Sequence, residues 1–264
     1  MTMPWPSAAR SRLGQQSDDA DGGRQLAGAN SFRGLHGQIV EAVGLSIASG
    51  VHSSGDQIVP ESLGEDFEVS RTVIREVLKV LEAKGMVQAR PRTGTRVRPS
   101  NDWNLLDPDV IRWRSIGDES AQQLEELLGL RSAIEPLAAR QACQARTPES
   151  LARLRSALEA MSDASDAKDW AWFTNADVDF HRALLVASGN MIVEQLADPI
   201  EAALRVRFQQ NLVPREFKRE AIESHRAIVD AVEARDEREA ELTSRRIVDV
   251  AGMEIMASLP PGQG

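Results

Sequence analysis

The run Val69-Ser70-Arg71-Thr72-Val73-Ile74-Arg75-Glu76-Val77-Leu78-Lys79-Val80-Leu81 allows little besides one amphipathic helix. Val73, Val77, Val80 and Leu81 recur at spacings of three and four, which predicts a single apolar stripe. Arg71, Thr72, Arg75 and Lys79 fall off that stripe and face outward, and Ser70 or Thr72 is placed to cap the first turn. A helix of this kind suits the major groove of DNA, where Arg pairs with guanine edges and Thr meets phosphate or a thymine methyl. A merely solvated amphipathic helix fits this run alone equally well, so its surroundings decide.

Downstream, Gly85 predicts a helix C-cap. Met86 to Ala89 and Thr95 to Arg98 then predict two short strands about a turn at Thr93-Gly94. Between Ser70 and Arg98 eight cations (Arg71, Arg75, Lys79, Lys84, Arg90, Arg92, Arg96, Arg98) face only Glu76 and Glu82, inside a chain of net charge -9. A local basic excess on a helix followed by a hairpin is the footprint of phosphate-backbone contact.

From Leu35 to Val97 the chain resembles the winged helix-turn-helix of GntR-type bacterial transcription regulators, through the run Val-Ser-Arg-Thr-x-x-Arg-Glu-x-Leu-x-x-Leu-x-x-x-Gly and the Gly-Thr wing after it. The resemblance implies three helices plus a β-hairpin wing, with Ser70, Arg71, Thr72 and Arg75 contacting double-stranded operator DNA. It also implies that Thr93, Gly94 and Thr95 set the wing in the minor groove. Pro60-Glu61-Ser62-Leu63 is shorter than the family's Pro-x-Glu-x-x-Leu. The second helix is therefore expected late, over Ser62 to Phe67, with weaker or shifted DNA contacts at that end.

Composition narrows the rest. At 264 residues with 42% hydrophobic and 27% charged side chains, the chain has material for one large domain or two ordinary ones with real cores. Cys143 is the only cysteine, which excludes an intrachain disulfide and a zinc-thiolate cluster. No apolar run approaches the roughly 20 residues of a membrane span, and the N-terminus has no apolar signal core, so a cytoplasmic protein without membrane contact is expected.

In chain order, residues 1–30 are expected as a disordered tail and 31–98 as the DNA-binding domain, whose first helix runs from Phe32 to Ser49. Residues 99–117 are expected as a linker with a short helix begun at Asp107-Pro108. Residues 118–257 predict an all-α bundle of six or seven helices (118–145, 148–165, 169–188, 190–212, 215–235 and 236–257), and 258–264 a tail. The fold class is thus mainly α.

Three of those helices carry polar residues on apolar stripes. Arg131 falls among Leu124, Leu127, Leu128, Ile134 and Ala138, so its buried guanidinium needs an anion, either Glu135 or a ligand carboxylate. Asp177 and His181 lie on or beside the stripe Phe173, Ala176, Phe180, Leu184, at the i, i+4 spacing of helical metal ligands. His225 sits among Ile222, Ile228, Val229 and Val232. A lone core histidine is usually just hydrogen-bonded, but three such residues from separate helices are better explained by one interior cavity.

These residues resemble the helical effector domain (FCD) of the FadR subgroup of GntR regulators, through Leu130-Arg131-Ser132-Ala133-Ile134-Glu135-Pro136, Asp177-x-x-Phe180-His181, Ser188-Gly189-Asn190 and His225-x-x-Ile228-x-x-Ala231-Val232. Many members hold a divalent metal such as zinc through one Asp and three His. The resemblance implies Asp177, His181 and His225 as ligands, with Ile247 where the fourth should be and water or effector completing the shell. The linker Asn101 to Trp113 is similar to that of galactonate-operon repressors in this subgroup. That implies an aldonate effector such as D-galactonate, with Arg131 on its carboxylate and Asp177, His181, His225 and Arg205 near its hydroxyls. The function expected is a repressor that binds a palindromic operator as a homodimer and lets go when the sugar acid binds. The alternatives are a regulator answering another ligand (lactate, a hexuronate or an acyl-CoA, the last disfavoured by Arg131 and a polar cavity), and a metal-dependent hydrolase or lyase, for which no general base is evident.

Overall fold

The computed structural model describes residues 34–90, 94–117, 119–210, 212 and 219–258. The expected tails, as well as Phe32 and Thr93, lie outside these, apart from Ser258. The chain divides into two compact units, 1–118 and 119–264.

The first unit opens with α1 (Gly34–Ala48), then β1 (Gln57–Ile58), α2 (Pro60–Asp66), α3 (Arg71–Ala83), β2 (Val87–Arg90), β3 (Gly94–Val97) and α4 (Pro108–Arg114). The strands form one antiparallel sheet in the order β1-β3-β2, with Ile58 opposite Thr95 and Val87 opposite Val97. β1 has no counterpart in the sequence reading, because two residues carry no periodicity to detect. Three helices and a winged sheet around Ile39, Val43, Leu63, Ile74, Val77 and Leu81 make the expected winged helix-turn-helix.

Several local expectations change. α2 does not start late. It begins at Pro60, whose missing N–H costs nothing in a first turn, so the shortened motif still yields a helix there. The buried stripe of α3 is Ile74, Val77, Leu78 and Leu81, while Val73 and Val80 are only half-buried. The apolar face is thus rotated slightly from the expected one, keeping Val77 and Leu81. Ser70 caps α3 by accepting from Val73 N at 3.4 Å. Gly85, at φ 76°, ends the helix, and Met86 N donates back to the Leu81 carbonyl at 3.0 Å.

The segment expected as a linker belongs to this unit. Asp107 caps α4, accepting from the amides of Asp109 and Val110. Lys84 Nζ, at the end of α3, lies 2.8 Å from both Asp107 and Asp109. Arg112 grips Glu41 of α1 and reaches Asp109 at 3.0 Å, and the Trp113 indole N–H donates to Glu41 at 2.9 Å. Lys84 is therefore spent on an internal carboxylate pair and drops out of the basic face.

The second unit holds α5 (Ser120–Ala145), α6 (Pro148–Asp166), α7 (Trp170–Ala187), α8 (Met191–Glu194), α9 (Ala197–Gln209), α10 (Arg219–Ala234) and α11 (Glu237–Ser258). The expected span 190–212 is broken into α8 and α9, giving seven helices among the described residues. Thr147 and Ser150 cap each other's backbone at the start of α6, and Asn190 caps α8 behind Gly189 at φ 66°. Phe180, Leu184, Leu154, Met161, Ile228 and Val232 fill the core between α6, α7 and α10. No helix among the described residues is long and apolar enough to cross a membrane.

Gly44 of α1 gives a direct test of the α1–α4 packing. A Cβ there would stand 2.6 Å from the ring of the fully buried Trp113. Gly44→Ala is expected to cost about 1–3 kcal/mol through overpacking, read as a lower urea midpoint. An unchanged midpoint would mean that α1 and α4 do not meet through the indole.

Candidate functional site

On the first unit, Ser70, Arg71, Thr72, Arg75 and Lys79 are all exposed on one side of α3. Arg71 meets Glu61 only at 3.6 Å, with side chains 74% and 50% exposed, a contact too solvated to hold it from a phosphate. The start of α3 therefore presents Arg71, Thr72 and Arg75 as the N-terminal turn of a recognition helix would. On the hairpin, Gly94 and Arg96 are exposed, but Thr95 is buried. Strand alternation turns its side chain inward, so Thr95 can present only its backbone at the wing.

The second unit encloses a cavity of about 530 Å³ between α5, α7, α9, α10 and α11. Arg131, Asp177, His181 and His225 all line it, so four of the five residues expected around an effector come together. Arg205 does not. It points to Glu201 and Asn175, each at 2.9 Å, outside the lining. Arg207, two residues on, takes its place, because α9 turns that position inward. Ile247 also lines the cavity, an apolar side chain at the position expected of a fourth ligand.

Arg131 resolves one open choice. Its Nε donates to Glu135 Oε1 at 2.6 Å and its Nη2 approaches Oε2 at 3.4 Å, one helical turn along α5. The internal ion pair is what this structure has. Glu135 is fully buried, and burial alone would raise its pKa. The Arg131 guanidinium and the His181 ring more than offset that and hold it at about 2. His181 Nδ1 lies 2.9 Å from Glu135 Oε2, although too obliquely for a well-formed hydrogen bond.

Asp177, His181 and His225 bring one ligand atom each to within 4.8 Å of one another. His225 Nδ1 lies 2.7 Å from the Ala221 carbonyl, which can only accept, so Nδ1 carries the proton. Nε2 of a neutral ring then presents a lone pair to Asp177 Oδ1 at 3.4 Å and has no hydrogen-bond partner among the described residues. His181 repeats the arrangement, with Nδ1 toward Glu135 and Nε2 3.7 Å from the same Asp177 oxygen. Burial would raise the Asp177 pKa, but the His225 and His181 rings when protonated, together with Arg131, hold it far below the usual carboxylate range. With the rings neutral, two imidazole lone pairs and a carboxylate converge on one space, which is the environment a divalent cation fits.

A family model for bacterial regulatory proteins of the gntR family matches residues 35–97, and one for the FCD domain matches residues 126–250. The chain is a GntR-family transcriptional regulator with an FCD domain. It is 32% identical over 201 residues to the galactonate operon transcriptional repressor of Escherichia coli K12, covering 75% of this chain and 87% of that one. It is 28% identical over 202 residues to the Uxu operon transcriptional regulator of the same organism, covering 72% and 75%. A solved structure of Lar, which controls expression of the Listeria monocytogenes agr system, matches with a TM-score of 0.62 at 16% identity, over 87% of this chain and 100% of that one. That likeness is one of fold.

The family and these relatives are transcriptional regulators, so the enzyme reading falls. In this GntR-family regulator the winged helix is the DNA-binding part and the FCD domain the small-molecule part. Sequence reasoning missed Arg207 as a cavity residue. Its signal was its place two positions from Arg205 on a helix with Leu204 and Phe208 inward.

Glu135 yields a prediction with a defined sign. A carboxylate whose folded pKa is depressed stabilises fully above its unfolded value, about 4.3, and loses that contribution as pH falls toward the folded value. Glu135→Gln, which leaves Arg131 buried without its counter-charge, is expected to cost about 3–5 kcal/mol at pH 7. The deficit relative to wild type should shrink between about pH 4.5 and 2. Urea unfolding at pH 7 and at pH 3 measures it, and a deficit that does not change with pH would contradict the assignment.

Proposed function

We propose that the protein is a repressor of a sugar-acid catabolic operon, binding a palindromic operator as a homodimer and released by an aldonate such as D-galactonate. The observation that carries this reading is the cavity, where three converging metal-type donors stand beside buried guanidinium groups. Such a site suits a small anion bearing hydroxyls, and the galactonate operon repressor among the relatives points the same way. Asp177, His181 and His225 would hold a divalent cation, which when bound supplies open coordination positions for ligand oxygens. Glu135 keeps the His181 ring oriented, and the Ala221 carbonyl does the same for His225.

Operator binding rests on α3. A single winged helix reads few base pairs, and two copies on a two-fold site supply the remaining specificity. Release is a population shift, in which the effector binds more tightly to an arrangement whose paired recognition helices no longer match the half-sites.

The test is fluorescence anisotropy of zinc-loaded protein on DNA from its own promoter. D-galactonate at millimolar concentration should weaken binding, and Arg75→Ala should weaken it about 5- to 150-fold through one lost base contact. Release by D-glucuronate alone would replace the aldonate with a hexuronate. If neither sugar acid releases the DNA, the effector assignment fails. The metal assignment is read separately. Zinc at a hundred times its dissociation constant should stabilise the wild type by about 2.7 kcal/mol. His225→Ala should lose most of that stabilisation, and an equal response in the variant would exclude this triad.

A further inference from the structure

Among the described residues, one guanidinium lining the cavity has a buried nitrogen with no hydrogen-bond partner. Arg131 is already committed to Glu135 from its own helix, and a ligand carboxylate placed on it would stand beside a second buried anion. Arg246 donates to Glu239 and Thr243, and its side chain is 64% exposed, so solvent screens it. Arg205 lies outside the lining. Arg207 differs from all three. Its side chain is only 15% exposed, its Nη2 donates to Glu254 at 2.5 Å, and its Nε is buried with no partner among the described residues.

A guanidinium presents Nε and Nη2 as a fork matched to the two oxygens of a carboxylate. In Arg207 one prong is engaged by Glu254 and the other is empty. Burial, together with the neighbouring Arg131 charge, pushes the Arg207 pKa below its ordinary value despite the anions Asp177 and Glu254. The positive charge there is under-compensated, and an unpaired buried donor carries a desolvation cost that an arriving acceptor relieves. Glu254 itself lies near the end of α11 and lines the cavity. Phe173 and Phe208 line the same space and offer apolar faces to a ligand's carbon skeleton.

We propose that Arg207, and not Arg131, takes the effector's carboxylate, and that Glu254 holds that place when no effector is bound. This rests on the reading above that the cavity binds a small carboxylate. Binding then exchanges one anion for another on Arg207. The ligand engages Nε and Nη2 together, Glu254 is released, and the ion pair that links α9 to α11 is replaced by contacts through the ligand.

The experiment is isothermal titration of zinc-loaded full-length protein with D-galactonate, D-glucuronate and L-lactate, in wild type, Arg207→Gln and Glu254→Gln. For whichever carboxylate binds wild type, Arg207→Gln should weaken binding about 10- to 100-fold. Glu254→Gln should tighten it, by about 3- to 10-fold, because the competing anion is gone. Opposite signs at the two ends of one ion pair are the diagnostic result, since a purely structural clasp would lose affinity from either end. Unchanged affinity in Arg207→Gln overturns the proposal and leaves the carboxylate reading intact, as does weakening in Glu254→Gln. If none of the three compounds binds wild type, the carboxylate reading falls and this proposal with it.

Discussion

A carboxylate with no access to water is tolerable only when its surroundings supply the hydrogen bonds and counter-charge that water would have given. Glu135 is in that position, fully buried in α5, and much of the helical unit is arranged around meeting its demand. Arg131 answers from the same helix, one turn away, and His181 answers from α7. Glu135 stays ionised 2.9 Å from His181 Nδ1, and its charge favours a ring proton on that nitrogen. When the ring is neutral, the opposite nitrogen then faces the cavity with its lone pair. The coordination character of the site therefore begins with a residue that would not touch a bound cation. Truncating Glu135 would affect packing, charge and ring orientation together, which is why the Arg131 side chain is better understood as its partner than as a free hook for ligand.

A comparable logic holds the DNA-binding unit together, with different consequences. Lys84, Asp107, Asp109, Arg112 and Glu41 form a half-buried network of ion pairs that fastens α4 to the end of α3 and to α1. Each carboxylate in it meets at least one cation, and the indole of Trp113 adds a donor to Glu41. The helix after the wing is consequently part of the same compact unit as the recognition helix. A segment that reads as a polar connector in sequence is in fact the last structural element of the DNA-binding unit, and the chain becomes a connector only after Arg114.

Local sequence made the mainly helical plan and most helix boundaries legible, because caps such as Thr147 and Asn190 and breakers such as Gly85 act over a few residues. The cavity was legible for a related reason. Polar residues on apolar stripes violate the pattern that folds a bundle, and Arg131, Asp177, His181 and His225 each did so. What escaped was set by tertiary contact. The two residues of β1 have no pattern of their own and exist because β3 offers them a partner. The buried face of α3 is chosen by what packs on it, which moved the stripe to Ile74 and Leu78. Lys84 counts as a surface cation in any tally of charge, and only the fold brings Asp107 and Asp109 to it. Arg205 and Arg207 are chemically identical in sequence, and two positions of helical rotation decide which one meets the cavity.

That last distinction bears on how a regulator of this kind can switch at all. A ligand shifts an equilibrium only by the difference in its affinity for the two arrangements, so tight binding to features present in both achieves nothing. The Arg131–Glu135 pair lies within one helix and cannot tell one arrangement of helices from another. The histidines and Asp177 come from α7 and α10 and add a link between those two elements only. Arg207 and Glu254 belong to α9 and α11, and their ion pair exists only while those helices keep their present spacing. A carboxylate that replaces Glu254 removes an inter-helix constraint while satisfying the guanidinium better than Glu254 does. The free energy gained on Arg207 is then available for any arrangement in which α11 has moved. A buried but incompletely paired arginine is unfavourable for stability taken alone, and at this position it is intelligible as one half of such an exchange.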